Sequence, residues 1–440
     1  MLHPGEAMYL QRALIAQRPR IADAFQTERR PRLTMQLRTS ILSAVRPAGP
    51  MLQFNLTRLE KVISGSAAIG AIGTELDRRA ASRVVVVTGA SLARSPLLAR
   101  VRDALGARCV GVSSAAAQHA PAAAVREIAA TLATLDADAV VSFGGGSAID
   151  SAKVAAASRM NGRDMTLEGG PLDLQRAFDP RAGRGLVHVA VPTTLSAAAF
   201  TPGGGVTDAV SHVKRAVLDA RLQPCVVIHD PELCIETPDE LWISTGVRVL
   251  DHAIESIYAK RAHPLASALA MRAIRMIIEH LPRSRGADAQ AIGHRGECLD
   301  AAWLSLYGAF NTGLGLSHAL GHQIGPAFEI PHGMTSCIAL VPAMRFLARD
   351  APESFVDIAE ALRVPLASNP TERALACAAA VRAFIAQFDL PTKLTDFGVD
   401  KGRALRLAPA VLGELRLFDA MRRELTLQEI AELLSEMCAP

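Results

Sequence analysis

The chain has 440 residues, half of them hydrophobic and a fifth charged, with a net charge of only +4. That length exceeds what one hydrophobic core organises, so two domains are expected. The near-balanced charge excludes a nucleic-acid or anionic-membrane surface as the main design, and no apolar run approaches the roughly 18 residues of a membrane span.

The basic excess gathers in residues 1–50, where Arg12, Arg18, Arg20, Arg29, Arg30, Arg32, Arg38 and Arg46 face only Glu6, Asp23 and Glu28. An Arg-rich, acid-poor start reads either as a targeting segment or as a dispensable, poorly ordered extension, and the second reading is preferred. The seven cysteines are scattered, odd in number and free of C-x-x-C pairs, which points to reduced thiols in the cytoplasm.

From about residue 51 short apolar runs alternate with helical stretches. Val84–Thr88 ends at Gly89; helical patterns over Ser95–Leu105 and Ala122–Leu135 flank the weaker run Val110–Val112. Ala139–Phe143 leads into glycines, Val187–Val191 into Pro192, and Cys225–His229 into Asp230–Pro231. Uninterrupted apolar strands alternating with helices predict a parallel sheet covered on both faces, an α/β nucleotide-binding domain over residues 51–236. Thr237 before Pro238 predicts an N-cap, and from there helix dominates: 241–260, 264–280, 301–320, 372–388 and 427–437. Residues 237–440 are therefore expected to form an all-α domain.

Two strand ends carry candidate cofactor contacts. After Phe143 come Gly144, Gly145, Gly146 and Ser147, then a helix bearing Asp150 and Lys153. Glycines let backbone approach an anion, and the helix start offers unpaired N–H groups and a positive dipole end. Thr193 and Thr194 add hydroxyls at the carboxyl end of the next strand, the edge where open α/β sheets bind ligands. The spacing differs from G-x-G-x-x-G, so this is not an ordinary dinucleotide fingerprint.

The helical half concentrates imidazoles. His318 and His322 are four apart on one helix face, His332 follows within Pro331–His332–Gly333, and His252 lies on an earlier helix. Imidazoles converging from several helices suit Zn²⁺ or Fe²⁺, or a proton relay near neutrality. Arg248 sits one turn before His252, where a cation repels a metal and attracts a carboxylate.

Together these motifs resemble the iron-containing (group III) alcohol dehydrogenase superfamily, particularly its maleylacetate reductase-like branch. The resemblance runs from about Phe54 to the C-terminus. It rests on Gly144-Gly145-Gly146-Ser147-x-x-Asp150-x-x-Lys153, Pro192-Thr193-Thr194, Asp230-Pro231, His252-Ala253-x-Glu255 and the His318/His322/His332 set. It implies an architecture shared with dehydroquinate synthase and a cleft between the two domains. Gly144, Gly145, Gly146, Ser147, Asp150, Thr193, Thr194 and Lys214 are implied as the cofactor site, and His252, His318 and His332 as metal ligands. His322 matches an extra histidine near the nicotinamide.

Three departures carry information. The family's metal-binding Asp, four residues before the first histidine, falls on Arg248, and the maleylacetate reductases are the branch that lacks it. Phe200 stands where the family has Glu. NAD-preferring members carry Asp after the first strand, where this chain has Gly89; its absence permits a 2′-phosphate, with Arg94 nearby, and favours NADP(H) over NAD(H).

The expected function is NAD(P)H-dependent reduction of a small carbonyl or oxo acid without metal, with Arg248, His322 and His252 as catalytic residues. The alternatives are an Fe²⁺- or Zn²⁺-dependent alcohol dehydrogenase and a non-redox, dehydroquinate synthase-like lyase. A homodimer is expected on general grounds.

Overall fold

Four consecutive valines open the strand β2 (Val84–Gly89), and all four are fully buried. Successive strand residues point to opposite faces. Val84 and Val86 therefore enter a core with Val141 and Val189, while Val85 and Val87 enter another with Val140. A strand apolar at every position is what a sheet covered on both sides demands.

The computed structural model describes residues 53–167, 179, 183, 185–208, 214–365 and 367–439. The basic extension, residues 1–50, and the side chain of Lys214 lie outside the described residues. With β1 (Lys61–Ser64), β3 (Cys109–Ala116), β4 (Ala139–Gly144), β5 (Val187–Pro192) and β8 (Val226–His229), β2 forms a parallel sheet of order β1-β8-β5-β4-β2-β3. Helices α1 (Ile72–Asp77) and α2 (Pro96–Leu105) cover one face; α3 (Ala122–Thr134) and α4 (Gly146–Asn161) cover the other. The α2 start follows the expected rule, with Ser95 accepting the Leu97 N–H and Pro96 in the first turn.

Strand order fixes where a ligand can enter. The chain leaves β2 toward β3 on one side and leaves β4 toward β5 on the other, so the loops after β2 and β4 diverge and open a crevice between them. Between β5 and β8 a two-stranded antiparallel hairpin, β6 (Gly203–Thr207) and β7 (Lys214–Leu218), packs against α4. Sequence reasoning missed it, because Gly203-Gly204-Gly205 lacks the β-branched signature of a strand.

The second half is helical throughout, as expected. It comprises α5 (Asp239–Tyr258), α6 (Pro264–His280), α7 (Ala289–Thr312), α8 (Leu316–Phe328), α9 (His332–Asp350), α10 (Val356–Leu362), α11 (Pro370–Ala386), α12 (Lys401–Leu405), α13 (Ala408–Phe418) and α14 (Leu427–Glu436). Every residue of α5 from Trp242 to Tyr258 is buried, so the charges it carries are buried too. Among the described residues no helix is long and apolar enough to cross a membrane.

Two local expectations are corrected. Thr237 does not cap α5; Pro238 occupies that position, and the Thr237 hydroxyl donates instead to the Thr193 carbonyl at 2.7 Å. The helix expected over 301–320 is broken at Gly313-Leu314-Gly315, where Gly313 adopts φ 86° and α8 begins afresh at Leu316. A Cβ on Gly315 would lie 2.6 Å from the Tyr258 hydroxyl and 3.1 Å from Glu255 Oε1, so only glycine lets α8 approach α5 this closely.

Candidate active site

At the end of β4 the backbone turns sharply: Gly144 has φ 151°, a conformation that strains any side chain, and its carbonyl accepts the Thr193 N–H at 3.0 Å. Gly145 caps α4 without a side chain, and the first-turn N–H groups of Gly146 and Ser147 have no helical carbonyl within reach. The loop after β5 faces this turn. A Cβ on Gly145 would come within 3.3 Å of Thr194 Oγ1, and one on Gly146 within 2.9 Å of Ser196 Oγ. Both hydroxyls are buried without a hydrogen-bond partner.

Buried orphan donors beside a side-chain-free helix start are costly unless something polar occupies the space. A dinucleotide pyrophosphate fits that requirement. Sequence reasoning placed Gly144, Gly145, Gly146, Ser147, Thr193 and Thr194 here, and the structure brings them together. It passed over Ser196, whose hydroxyl is aimed at the same turn.

Lys153 and Asp150 serve the scaffold around this loop. The Lys153 ammonium is fully buried and donates to the carbonyls of Ala198 (2.6 Å), Thr201 (2.7 Å) and Gly203 (2.7 Å) and to the Thr201 hydroxyl (3.1 Å). Burial pushes its pKa down to about 8, opposed by Asp150. One oxygen of Asp150 accepts the Gly205 N–H at 3.1 Å, fastening α4 to the β6–β7 hairpin.

The imidazoles gather on the other side of the β5 loop. The Leu195 N–H donates to Thr245 Oγ1 on α5 at 3.2 Å, and a Cβ on Gly333, next to His332, would lie 2.8 Å from Ser244 Oγ. The first half of α5 therefore meets the loop that faces the glycine turn, and the start of α9 packs against the same stretch of α5. One turn along α5 lies Arg248. Its guanidinium is buried and donates to Ser336 Oγ at 3.0 Å and the His332 carbonyl at 3.4 Å, both on α9.

Ser336 in turn donates to Asp251 Oδ2 at 2.6 Å, which also accepts from Ser317 Oγ at 2.8 Å. A hydroxyl thus bridges the buried cation to its buried counter-charge. Burial pushes the Arg248 pKa down to about 10, with Asp251 and Glu255 opposing, so the guanidinium keeps its charge at neutrality. Burial likewise pushes Asp251 up to about 7, helped by Glu255 and opposed by Arg248.

Glu255, noted in the sequence only as part of a motif, proves to be the hub that holds α8. It accepts the N–H groups of Gly315 (2.8 Å), Ser317 (2.8 Å) and His318 (3.4 Å), the Tyr258 hydroxyl (2.6 Å) and His318 Nδ1 (2.5 Å). A carboxylate at a helix N-terminus suits both its unpaired donors and its dipole. Burial raises this carboxyl's pKa, and the Tyr258 hydroxyl with the N–H groups of Gly315, Ser317 and His318 opposes the rise.

The four predicted histidines form a continuous series of rings. His252 stacks on His318 at 4.9 Å, His318 meets His322 edge-on at 6.1 Å, and His322 stacks on His332 at 5.2 Å. Burial holds His252 and His318 neutral, well below the usual imidazole range, and Arg248 adds to the effect on both. His252 Nδ1 and His318 Nε2 are buried without partners, which marks a place for a further polar group.

A divalent metal is a poor candidate for that place. Among the described residues, the ligand-type atoms that converge are those of Asp251, Glu255 and His318, not the expected His252, His318 and His332. Both carboxylates are already committed, Asp251 to two serines and Glu255 to its five donors. The Arg248 guanidinium acts on the same imidazoles a metal would use, and two fixed cations in one low-dielectric site repel strongly. The carboxylates are therefore spent within the protein, and Arg248 already places a positive charge beside the imidazoles.

Comparison with known proteins agrees with this layout. Residues 60–231 match the family described as iron-containing alcohol dehydrogenase, and residues 242–438 match the Fe-containing alcohol dehydrogenase family, C-terminal. An NAD-dependent methanol dehydrogenase of Bacillus methanolicus is 30% identical over 84% of this chain and 96% of that protein. A maleylacetate reductase of Burkholderia cepacia is 32% identical over 70% and 79% of the two chains. Among solved structures, a 1,3-propanediol oxidoreductase superposes with a TM-score of 0.79 at 25% identity, covering 88% of this chain and all (100%) of its own. The maleylacetate reductase of Agrobacterium tumefaciens superposes with a TM-score of 0.70 at 24% identity, covering 88% and 97%.

Proposed function

The chain belongs to the iron-containing alcohol dehydrogenase family, and from that membership we propose a nicotinamide-dependent reductase of a small oxo acid that works without a metal. The observation that carries this reading is Arg248: a buried guanidinium, coupled through Ser336 to Asp251, whose charge acts on the imidazoles of His252 and His318. A charged, forked donor in a dry site binds a carboxylate and stabilises an oxyanion as charge develops.

In this reading the dinucleotide lies across Gly144, Gly145, Gly146 and Ser147, with Thr193, Thr194 and Ser196 lining its phosphates and Lys214 and Asp150 near by. When bound, the dihydronicotinamide supplies the hydride. Arg248 orients the substrate and polarises its carbonyl. His322, assisted by His252, delivers the proton that neutralises the new alkoxide. NADP(H) is favoured over NAD(H), because Gly89 offers no carboxylate to repel a 2′-phosphate and the Arg94 side chain is exposed close behind β2. The two halves act as domains meeting near residues 236–237, in a cytoplasmic homodimer.

Purified protein given NADPH and a panel of oxo acids and size-matched neutral aldehydes tests the assignment through loss of dihydronicotinamide absorbance. A hydrogen bond to a charged group contributes about 1.5–3 kcal/mol, so oxo acids should lead in kcat/KM by about 10- to 100-fold. Neutral aldehydes turning over as well as the acids would remove the carboxylate-binding role.

A further inference from the structure

The catalytic histidine is held by a residue from a distant part of the chain. On α13, Glu414 and Phe418 are four residues apart and so share one face, and both meet His322. Glu414 Oε1 lies 2.5 Å from His322 Nδ1, and the Phe418 ring stands edge-on to the imidazole at 5.8 Å. The second carboxylate oxygen, Oε2, accepts Gln323 Nε2 at 2.6 Å. With each oxygen engaged by a neighbouring residue of α8, the carboxylate cannot swing away from the imidazole as a surface ion pair does.

Resting on the reading of His322 as the proton donor, we propose that Glu414 is its positioning residue. The carboxylate accepts the Nδ1 proton, which leaves Nε2 as the nitrogen that exchanges a proton with substrate. Stacking on His332, with the ring planes 22° apart, fixes the remaining rotation of the imidazole.

In the reduction itself, hydride adds to the carbonyl carbon and the C=O π pair moves to oxygen. The proton on His322 Nε2 passes to that oxygen. His322 is left neutral, with its Nδ1–H still on the ring and donating to Glu414, and recovers the Nε2 proton from water. Proton and hydride together balance the conversion of one carbonyl and one reduced nicotinamide to alcohol and oxidised nicotinamide.

A double-mutant cycle of Glu414→Leu with His322→Ala, on the full chain with NADPH and the best oxo acid of the panel, separates positioning from general support. His322→Ala alone should lower kcat by about 10²- to 10⁴-fold, the range of general acid catalysis. Glu414→Leu alone should lower kcat by about 10- to 100-fold with the KM for NADPH within about twofold, and should do nothing further once His322 is gone. Glu414→Gln preserves volume and keeps an acceptor; it should fall between wild type and Glu414→Leu, and it runs the same cycle if the leucine variant does not fold.

A normal kcat for both Glu414 variants beside a slow His322→Ala would overturn the positioning role and leave the proton donor standing. Equal losses from the Glu414 change in both backgrounds would reduce Glu414 to a structural contact. A fully active His322→Ala would remove the proton-donor reading, and the proposal with it.

Discussion

Arg248→Ala is expected to lower kcat/KM for an oxo acid by about 10²- to 10³-fold, the cost of removing one preorganised donor from a developing oxyanion. The dissociation constant for NADPH should stay within about twofold, because the glycine turn is built from other residues. The pattern separates Arg248 from a purely structural charge, whose loss would weaken both. Arg248→Lys keeps the charge but not the planar fork and should recover only part of the rate. Stability carries a second signature. Asp251 already has its pKa raised to about 7 by burial and Glu255. A carboxyl raised in the folded state stabilises it below the unfolded pKa, and that contribution is lost as pH rises through the folded value. Removing the opposing guanidinium raises Asp251 further and leaves its ionised form uncompensated. Melting temperatures of Arg248→Ala should therefore fall more above about pH 7 than below it. Unchanged kinetics in the alanine variant would remove Arg248 from the chemistry.

Gly146→Val is the complementary experiment and should weaken NADPH binding by about 100-fold, as two charge-assisted phosphate contacts are lost. The added Cβ would meet Ser196 Oγ at 2.9 Å, a hydroxyl that can rotate away, and Ser196 Cβ at 3.2 Å, which requires the loop to shift slightly, so the fold should survive with a lowered melting temperature. The branched methyls then occupy the space above the helix start. Gly144 is a worse choice for this purpose, since its φ of 151° would strain any replacement and confound binding with folding. Isothermal titration with NADPH reads the result. Affinity within twofold of wild type would mean that the dinucleotide does not cross this turn.

The sheet half was legible because its signals are local. Valine runs ending in glycine or proline mark strands, and Gly144–Ser147 between a strand and a helix marks a phosphate turn. The histidines were legible as a group because four of them fall in two short stretches. What the sequence did not disclose depends on contacts made across the fold. The break at Gly313–Gly315 follows from Glu255 collecting the N–H groups of a new helix, a partner 60 residues away from Gly315. Nothing near Thr237 indicates that its hydroxyl is drawn to the Thr193 carbonyl. Ser336 looks like any helical serine until α9 sets it between Arg248 and Asp251, and Glu414 looks like a solvated acid until α13 sets it against His322.

These contacts also give physical content to Arg248 standing where the family resemblance implies a metal-binding Asp. With Arg248 where a carboxylate ligand is expected, the site acquires a fixed positive charge and a counter-ion network built to hold it. In the proposed reading that charge takes over the polarising role a bound cation would have.

Metal content measured alongside activity tests this most directly. Protein purified without added metal, then dialysed against chelator, should carry far less than one equivalent of iron or zinc. It should still oxidise NADPH with its oxo acid at an undiminished rate, before and after Fe²⁺ or Zn²⁺ is returned. Stoichiometric metal whose removal abolishes turnover, and whose return restores it, would contradict the account and make the enzyme a metal-dependent alcohol dehydrogenase.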